Sequence, residues 1–306
     1  MLRYITESAK GGLNQLLEDA MKIILSRKGF DSAAGGVPNP LFADGRLLSL
    51  PIPDALSPIT YGDIAHQPEQ LGSLVEQLTK QRILPHHGAH LDPDLRVDTL
   101  PRLPGWRPML GQYGAAQSHL RNQGVGAGDV FLFFTVFQSV VCIDGVYQRQ
   151  RQSNPIHALW GWLQVDEVLD VSHGKPVPYD WAAYHPHCYR HHEANNAIYT
   201  ARQHLTLGGK DMQLPGAGVF PFLRPELQLS AVDSTKPTLW ELPFWFYPEA
   251  DKKPLTYHTN LNRWQREGER TLLQSVYRGQ EFVLDTKDYS EAQAWVEGLI
   301  KNQWLS

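Results

Sequence analysis

Apolar side chains occur along this chain in short runs, separated by segments rich in glycine and proline. Runs of apolar, β-branched and aromatic residues bounded by such segments are typical of strands. We predict strands over residues 22–26, 41–42, 46–50, 130–137, 157–168, 197–199 and 281–284. Leu71, Leu74, Val75 and Leu78 follow helical spacing, which predicts a helix over 68–82. Shorter helices are predicted over 114–122 and after Ser290.

Strands outnumber helices in this pattern, and most of them can be joined by short turns. We therefore expect an α+β fold, a curved and mainly antiparallel sheet with flanking helices. Residues 21–306 are predicted to form a single mixed domain, because a natural first strand follows Met21. Residues 1–20 are interpreted as an N-terminal extension that the fold does not require.

Composition narrows the functional classes. Hydrophobic residues make up 42% of the chain, and no apolar run approaches the roughly 20 residues of a membrane span, so no membrane segment is expected. The net charge of −4 argues against a protein that binds nucleic acid mainly through a global basic field. Two cysteines are too few for a disulfide framework, which favours a cytoplasmic location.

Three stretches carry a family resemblance. They are Arg27-Lys-Gly-Phe-Asp-Ser32 with Gly35-Gly36, then His90-Leu-Asp-Pro-Asp94, and then 105–134 with Gln112, His119 and Gln123. Together they resemble the nucleotide modification associated domain 3 family over most of residues 21–300. The resemblance implies an association with systems that modify nucleotides or nucleic acids, and nucleic acid or nucleotide as a partner. None of the stretches is a catalytic signature, so the reaction stays open.

A second similarity concerns the centre of the chain. A Gly-x-Gly-Asp turn, a hydrophobic strand and a return strand are similar to the PUA-like barrels of the EVE and ASCH type. In such barrels, rim aromatics stack a flipped base. Trp160 and Trp162 are candidates for that rim, and the alternative is that they fill the core.

The turn after the first strand is a candidate active-site loop. Lys28, Asp31 and Ser32 place an amine, a carboxylate and a hydroxyl at the end of a strand, where ligand sites are common. Arg27, Gly35 and Gly36 are assigned to nucleotide binding in the same loop. The spacing does not match a Walker phosphate loop. The alternative is a turn in which Asp31 and Ser32 only bond the backbone.

A second candidate segment carries alternating polar residues. His90, Asp92 and Asp94 would project to one side of an extended chain and converge on a cation or a scissile bond. The alternative is a solvated turn. We predict that this segment and the Lys28 loop fold against each other and form one polar pocket.

Several further residues are candidates for the same pocket. Gln112 and Gln123 carry amides that read base edges, Arg107 suits phosphate, and His119 is a candidate acid or base. His185 and His187 are assigned to nucleotide binding. No residue is assigned to a metal, because the histidine cluster lacks the separated ligand pairs of a structural zinc site. The cofactor is left open.

These observations leave three hypotheses. The chain recognises a nucleotide, either modified or unmodified, in a polar pocket; or it is an enzyme that uses the Lys28 loop and the His90 segment; or it is a non-catalytic subunit of a modification or defence complex. Whether the chain is an enzyme stays open at this point.

Overall fold

The computed structural model describes residues 21–249, 252–277 and 279–304. The predicted extension, residues 1–20, lies outside the described residues. The strands are β1 (Lys22–Arg27), β2 (Asn39–Leu41), β3 (Ile52–Pro53), β4 (Ala89–His90), β5 (Met109–Tyr113), β6 (Val130–Ile143), β7 (Val146–Arg149), β8 (Ile156–Asp170), β9 (Asn196–Ala201), β10 (His204–Leu207), β11 (Lys210–Pro215), β12 (Ala217–Val219), β13 (Leu239–Pro243), β14 (Trp264–Glu267), β15 (Arg270–Gln274) and β16 (Glu281–Asp285). The α-helices are α1 (Leu71–Leu78), α2 (Gly114–Asn122) and α3 (Ala292–Trp304). The predicted α+β class is confirmed.

One mixed sheet organises the molecule, with the strand order β16-β1-β6-β8-β9-β5. β1 and β2 pair with β6 in parallel, and the other pairings of this sheet are antiparallel. β1 lies between β16 and β6 with both faces covered, which explains why its apolar residues run consecutively instead of alternating.

The sheet is curled into a half-barrel. Register shifts interrupt the β6–β8 ladder at Phe133/Phe134 and the β8–β9 ladder at Val165/Glu167, and such bulges increase local twist. Gly161 permits close packing at the first of these, since a Cβ there would lie 2.8 Å from Leu95 and 2.9 Å from the Gly218 carbonyl oxygen. The curl brings the two terminal strands of the sheet, β5 and β16, toward each other.

Apolar clusters cover both faces of this sheet. The Trp162 side chain is 1% exposed and packs against Phe220. Trp160 is also buried, and its indole N–H donates to the Lys28 carbonyl oxygen at 3.1 Å. The expectation that these two tryptophans form an aromatic rim is therefore wrong, because both fill the interior on β8.

Within the described part of the chain, no helix combines the length and the apolar character needed to cross a membrane.

Candidate functional site

Lys28 lies at the centre of a buried polar cluster. Its backbone N–H continues the β1–β6 ladder by donating to the Phe134 carbonyl oxygen, which fixes the start of its side chain. Its Nζ lies 3.7 Å from Asp92 Oδ2 and 3.7 Å from Glu281 Oε1, and it donates to the Gly111 carbonyl oxygen at 3.4 Å. The side chain is only 10% exposed. An ammonium group is thus held between two carboxyl groups that come from distant parts of the chain.

Asp92 is the point on which the cluster converges. Its Oδ1 accepts the Gly111 backbone N–H at 2.5 Å, and its Oδ2 faces Lys28. Burial by itself would raise the pKa of this carboxyl group. The charge of Lys28 is the largest influence against burial, and the pKa of Asp92 lies well below its usual range. Asp92 is therefore ionised at neutral pH.

Three imidazoles surround Asp92. His90 Nε2 lies 3.7 Å and His187 Nε2 lies 3.8 Å from Asp92 Oδ2, and His185 Nε2 lies 3.5 Å from Oδ1. His90 ends β4, whereas His185 and His187 are held by the short 3-10 helix Pro186–Tyr189. All three rings are at least 95% buried. Burial lowers the pKa of His187 well below its ordinary value, so this ring is neutral.

A further set of residues orients two of these rings. His90 Nδ1 lies 2.7 Å from Asp54 Oδ2, and Arg190 pairs with the same oxygen at 2.7 Å. Burial would raise the pKa of Asp54, but the bond to His90 and the charge of Arg190 bring it to about 2. His187 Nδ1 lies 2.6 Å from Asn196 Oδ1, and the Asn196 amide donates to the His187 carbonyl oxygen at 2.8 Å. Since both partners of Nδ1 are acceptors, a neutral ring at either position carries its proton on Nδ1, and its Nε2 faces Asp92.

The cluster opens into a cavity of about 330 Å³. The residues that line this site cavity include Arg27, Lys28, Asp31, His90, Asp92, Gln112, Tyr113, His187 and the first turn of α2 at 114–116. Arg27 Nε and Nη2 are buried and have no hydrogen-bond partner among the described residues. At the start of α2 the Gly114 N–H donates to the Asn195 carbonyl oxygen, and the N–H groups that follow it lack intrahelical acceptors. The cavity therefore offers several donors suited to an anion.

Glu281 closes the cluster on the side of β16. Its Oε1 accepts from the Gln112 amide at 2.6 Å, which joins the two terminal strands of the half-barrel. Burial raises the pKa of Glu281. The sequence interpretation missed Glu281, Asp54 and Asn196, because each is a single polar residue without a motif around it.

His90, Asp92 and His187 each offer one ligand atom, and these atoms lie within 4.8 Å of one another. Two imidazole nitrogens and one carboxylate oxygen are a donor set that binds transition metals.

The model of the family described as "Nucleotide modification associated domain 3" matches residues 22–285. This chain belongs to that family. The matched range includes every residue of the cluster, from Lys28 to Glu281. No curated protein and no solved structure is significantly similar to this chain.

The sequence predicts that Asp94 lies beside His90 and Asp92, but the structure places its side chain elsewhere. The backbone bends at Pro93, so the three side chains do not share one side. Asp94 accepts two bonds from Arg102 at 2.7 Å and one from the Tyr184 hydroxyl. The prediction for Asp94 is wrong, because this carboxylate is buried in a separate ion pair.

The Lys28 loop is divided between two cavities. Asp31 lines the site cavity, but its Oδ1 is occupied by the N–H groups of Ala33 and Ala34 at 2.7 Å. Ser32 faces away and contacts the Tyr277 hydroxyl at 3.1 Å. Gly35 and Gly36 have φ values of +80° and +72°, so they serve the turn by their conformation. The structure does not bring Ser32, Gly35 or Gly36 into the site cavity.

Three other predicted residues also lie outside the site cavity. His119, half-buried on α2, contacts Thr256 Oγ1 at 3.2 Å and the Tyr257 ring. Gln123 is exposed at the C-terminal end of the same helix. Arg107 pairs with Asp166 at the surface. The helical spacing places His119 and Gln123 beyond the first turn, which is the part of α2 that reaches the cavity.

Proposed function

We propose that this protein is an enzyme of a nucleotide modification pathway, and that the reaction takes place on a nucleotide bound in the site cavity. The observation that carries the proposal is the buried cluster of Lys28, Asp92, Glu281 and histidines that opens into this cavity. Ionisable groups are rarely buried together, because their desolvation is unfavourable, and they concentrate at catalytic centres. The family membership supports a nucleotide as the substrate class.

Arg27 and the first turn of α2 are the proposed phosphate site. Arg27 has two unpaired donors, and a guanidinium binds phosphate oxygens through such donors. Helix N-termini stabilise anions through their free N–H groups and dipole. The phosphate is thus held at the cavity wall and the nucleoside faces the buried cluster.

Lys28 is the residue we assign to the chemistry. Its ammonium group reaches the cavity and is positioned by Asp92, Glu281 and the Gly111 carbonyl oxygen. A fixed positive charge in a site shielded from water stabilises negative charge that develops on a bound base or sugar. Recognition of a nucleotide without chemistry would not require this group to be buried.

Nucleotide binding tests the first half of the proposal. We expect the full chain to bind 5′-mononucleotides in calorimetric titrations, and to bind the matching nucleosides about 10-fold more weakly or worse, because a nucleoside leaves Nε and Nη2 of Arg27 unpaired. R27Q should bind 5′-mononucleotides about 10-fold more weakly than the wild type does. R107Q is the matched control, since Arg107 lies at the surface outside the cavity, and it should bind like the wild type. Equal affinity of R27Q and wild type would contradict the phosphate site.

Mass spectrometry tests the second half. Mononucleotides and single-stranded oligonucleotides are incubated with the chain and a small-molecule cell extract that supplies co-substrates. We expect a mass change in one of these substrates with the wild type, and none with K28M, which retains binding within a few-fold. A short oligonucleotide reacts only if an unpaired base enters the cavity. Unchanged masses for every substrate, together with tight binding, would favour recognition without catalysis.

A further inference from the structure

Three acceptor atoms face one another at the floor of the site cavity. Asp92 Oδ2 is a carboxylate oxygen, and the Nε2 atoms of His90 and His187 lie 3.7 Å and 3.8 Å from it. The opposite ring nitrogens, Nδ1, face acceptor oxygens of Asp54 and Asn196, so the Nε2 atom of each neutral ring has its lone pair toward Asp92. A cation placed among the three atoms would contact all of them.

The separations suit a metal ion. Two donors bonded to one first-row metal at about 2.1 Å can be at most about 4.2 Å apart, so both nitrogen–oxygen distances fit. All three atoms lie within 4.8 Å of one another, so the third separation exceeds the limit of about 4.2 Å by at most about 0.6 Å. Lys28 approaches the same oxygen at 3.7 Å, which is too long for a hydrogen bond, and its donated bond goes to the Gly111 carbonyl oxygen.

Two residues that contact the second ring nitrogens of His90 and His187 also support a metal site. Metal-binding histidines usually donate their second N–H to a carboxylate or a carbonyl oxygen, which fixes the ring and raises its basicity. His90 meets the Asp54 carboxylate, which Arg190 holds in place, and His187 meets the Asn196 carbonyl oxygen.

We propose that His90, Asp92 and His187 bind a first-row divalent transition metal ion at the floor of the site cavity. The two imidazoles favour such an ion over Mg²⁺ or Ca²⁺, which prefer oxygen ligands. Three protein ligands leave coordination positions open toward the cavity, as catalytic metal sites require. The inference deepens the proposed function, because the ion would lie beside Lys28 where the nucleotide is placed.

A sequence scan for paired ligands does not find this site, since its ligands are divided between two distant segments. His90-x-Asp92 comes from the strand β4 and the loop after it, and His187 follows almost a hundred residues later. Neither segment contains a complete ligand set.

Cobalt titration of the full chain tests the metal site without any substrate. After treatment with a chelator, the wild-type protein should bind one Co²⁺ per chain with visible absorption bands, and Zn²⁺ should displace it. H90A and H187A should lower the Co²⁺ affinity about 100-fold or more, because each removes a ligand. H119A is the matched control, since His119 is a partly buried histidine outside the cavity, and it should titrate like the wild type.

D54N is a milder variant that retains the shape of Asp54. It should lower Co²⁺ affinity about 10- to 100-fold, as loss of an outer carboxylate does in other metal sites. Circular dichroism shows whether each variant is folded. No Co²⁺ binding by the wild type at millimolar concentration would overturn the inference, and so would equal binding by folded H187A. Co²⁺ binding without nucleotide binding would support the metal site and contradict the proposed function. Nucleotide binding without Co²⁺ binding would contradict the metal site and leave the proposed function supported.

Discussion

Asp92 and Asp94 lie two residues apart but have different roles. Asp92 faces the site cavity and is surrounded by Lys28 and histidines, whereas Asp94 pairs with Arg102 in the interior. Both are almost completely buried. Burial alone therefore does not separate a site residue from a structural one. The separation comes from the partners, because Arg102 and Tyr184 hydrogen-bond Asp94 at short range, whereas the imidazole nitrogens lie 3.5–3.8 Å from Asp92.

The Asp94 pair yields a prediction about stability. D94N leaves the Arg102 guanidinium buried without its counter-charge, and we expect the free energy of unfolding to fall by roughly 3 kcal/mol. Urea denaturation measures this change. D166N is the control, since the Arg107–Asp166 pair is exposed and should contribute less than about 1 kcal/mol. A folded D94N protein that no longer binds Co²⁺ would show that Asp94 belongs to the site after all.

At the scale of elements, β5 holds the site together. Gly111 on this strand donates its N–H to Asp92 and accepts from Lys28 through its carbonyl oxygen. The next residue, Gln112, bonds Glu281 on β16. The strand also packs against the short helix that carries His187, so its backbone positions both the acidic and the histidine side of the cluster.

G111A tests this arrangement. A Cβ at Gly111 would overlap the His187 imidazole, so the ring must move away from Asp92. We expect Co²⁺ affinity to fall about 10-fold or more, although no ligand atom is removed. Cobalt titration of the folded variant measures this affinity. G126A is the control, because no described atom lies within 4 Å of a Cβ at that position. Unchanged affinity in G111A would place His187 outside the ligand set.

At the scale of the molecule, the site lies where the half-barrel almost closes. β16 covers one side of β1 and supplies Glu281, although it follows β1 by more than 250 residues. The cluster therefore depends on the pairing of the first described strand with the last one.

Truncation at each end tests this dependence. Removal of residues 279–306 exposes the edge of β1 and a large part of the core, and we expect the product to be insoluble or to lack cooperative unfolding. A chain that starts at Met21 is the control, and its thermal midpoint should match that of the full chain. A stable, soluble product without β16 would contradict the view that residues 21–306 form one folding unit.

Local physics explains what could be predicted from the amino-acid sequence. Apolar runs indicated β1, β6 and β8, and apolar periodicity indicated α1, because such patterns depend only on neighbours in the chain. The polar segments at Lys28 and at His90 and Asp92 were predicted as parts of one pocket, and they lie 3.7 Å apart at their closest ion pair. Arg27, Gln112 and His187 line the same cavity.

Tertiary structure alone decided which polar residues join the buried cluster beside that cavity. Nothing near Glu281, Asp54 or Asn196 in the sequence distinguishes them from solvated residues, and nothing near Asp94 indicates its burial with Arg102. Trp160 and Trp162 fit either a rim or a core until the curl of β8 places them inside. These distinctions arise from long-range pairing, since the sheet brings together side chains whose positions in the chain do not reveal their distance in space.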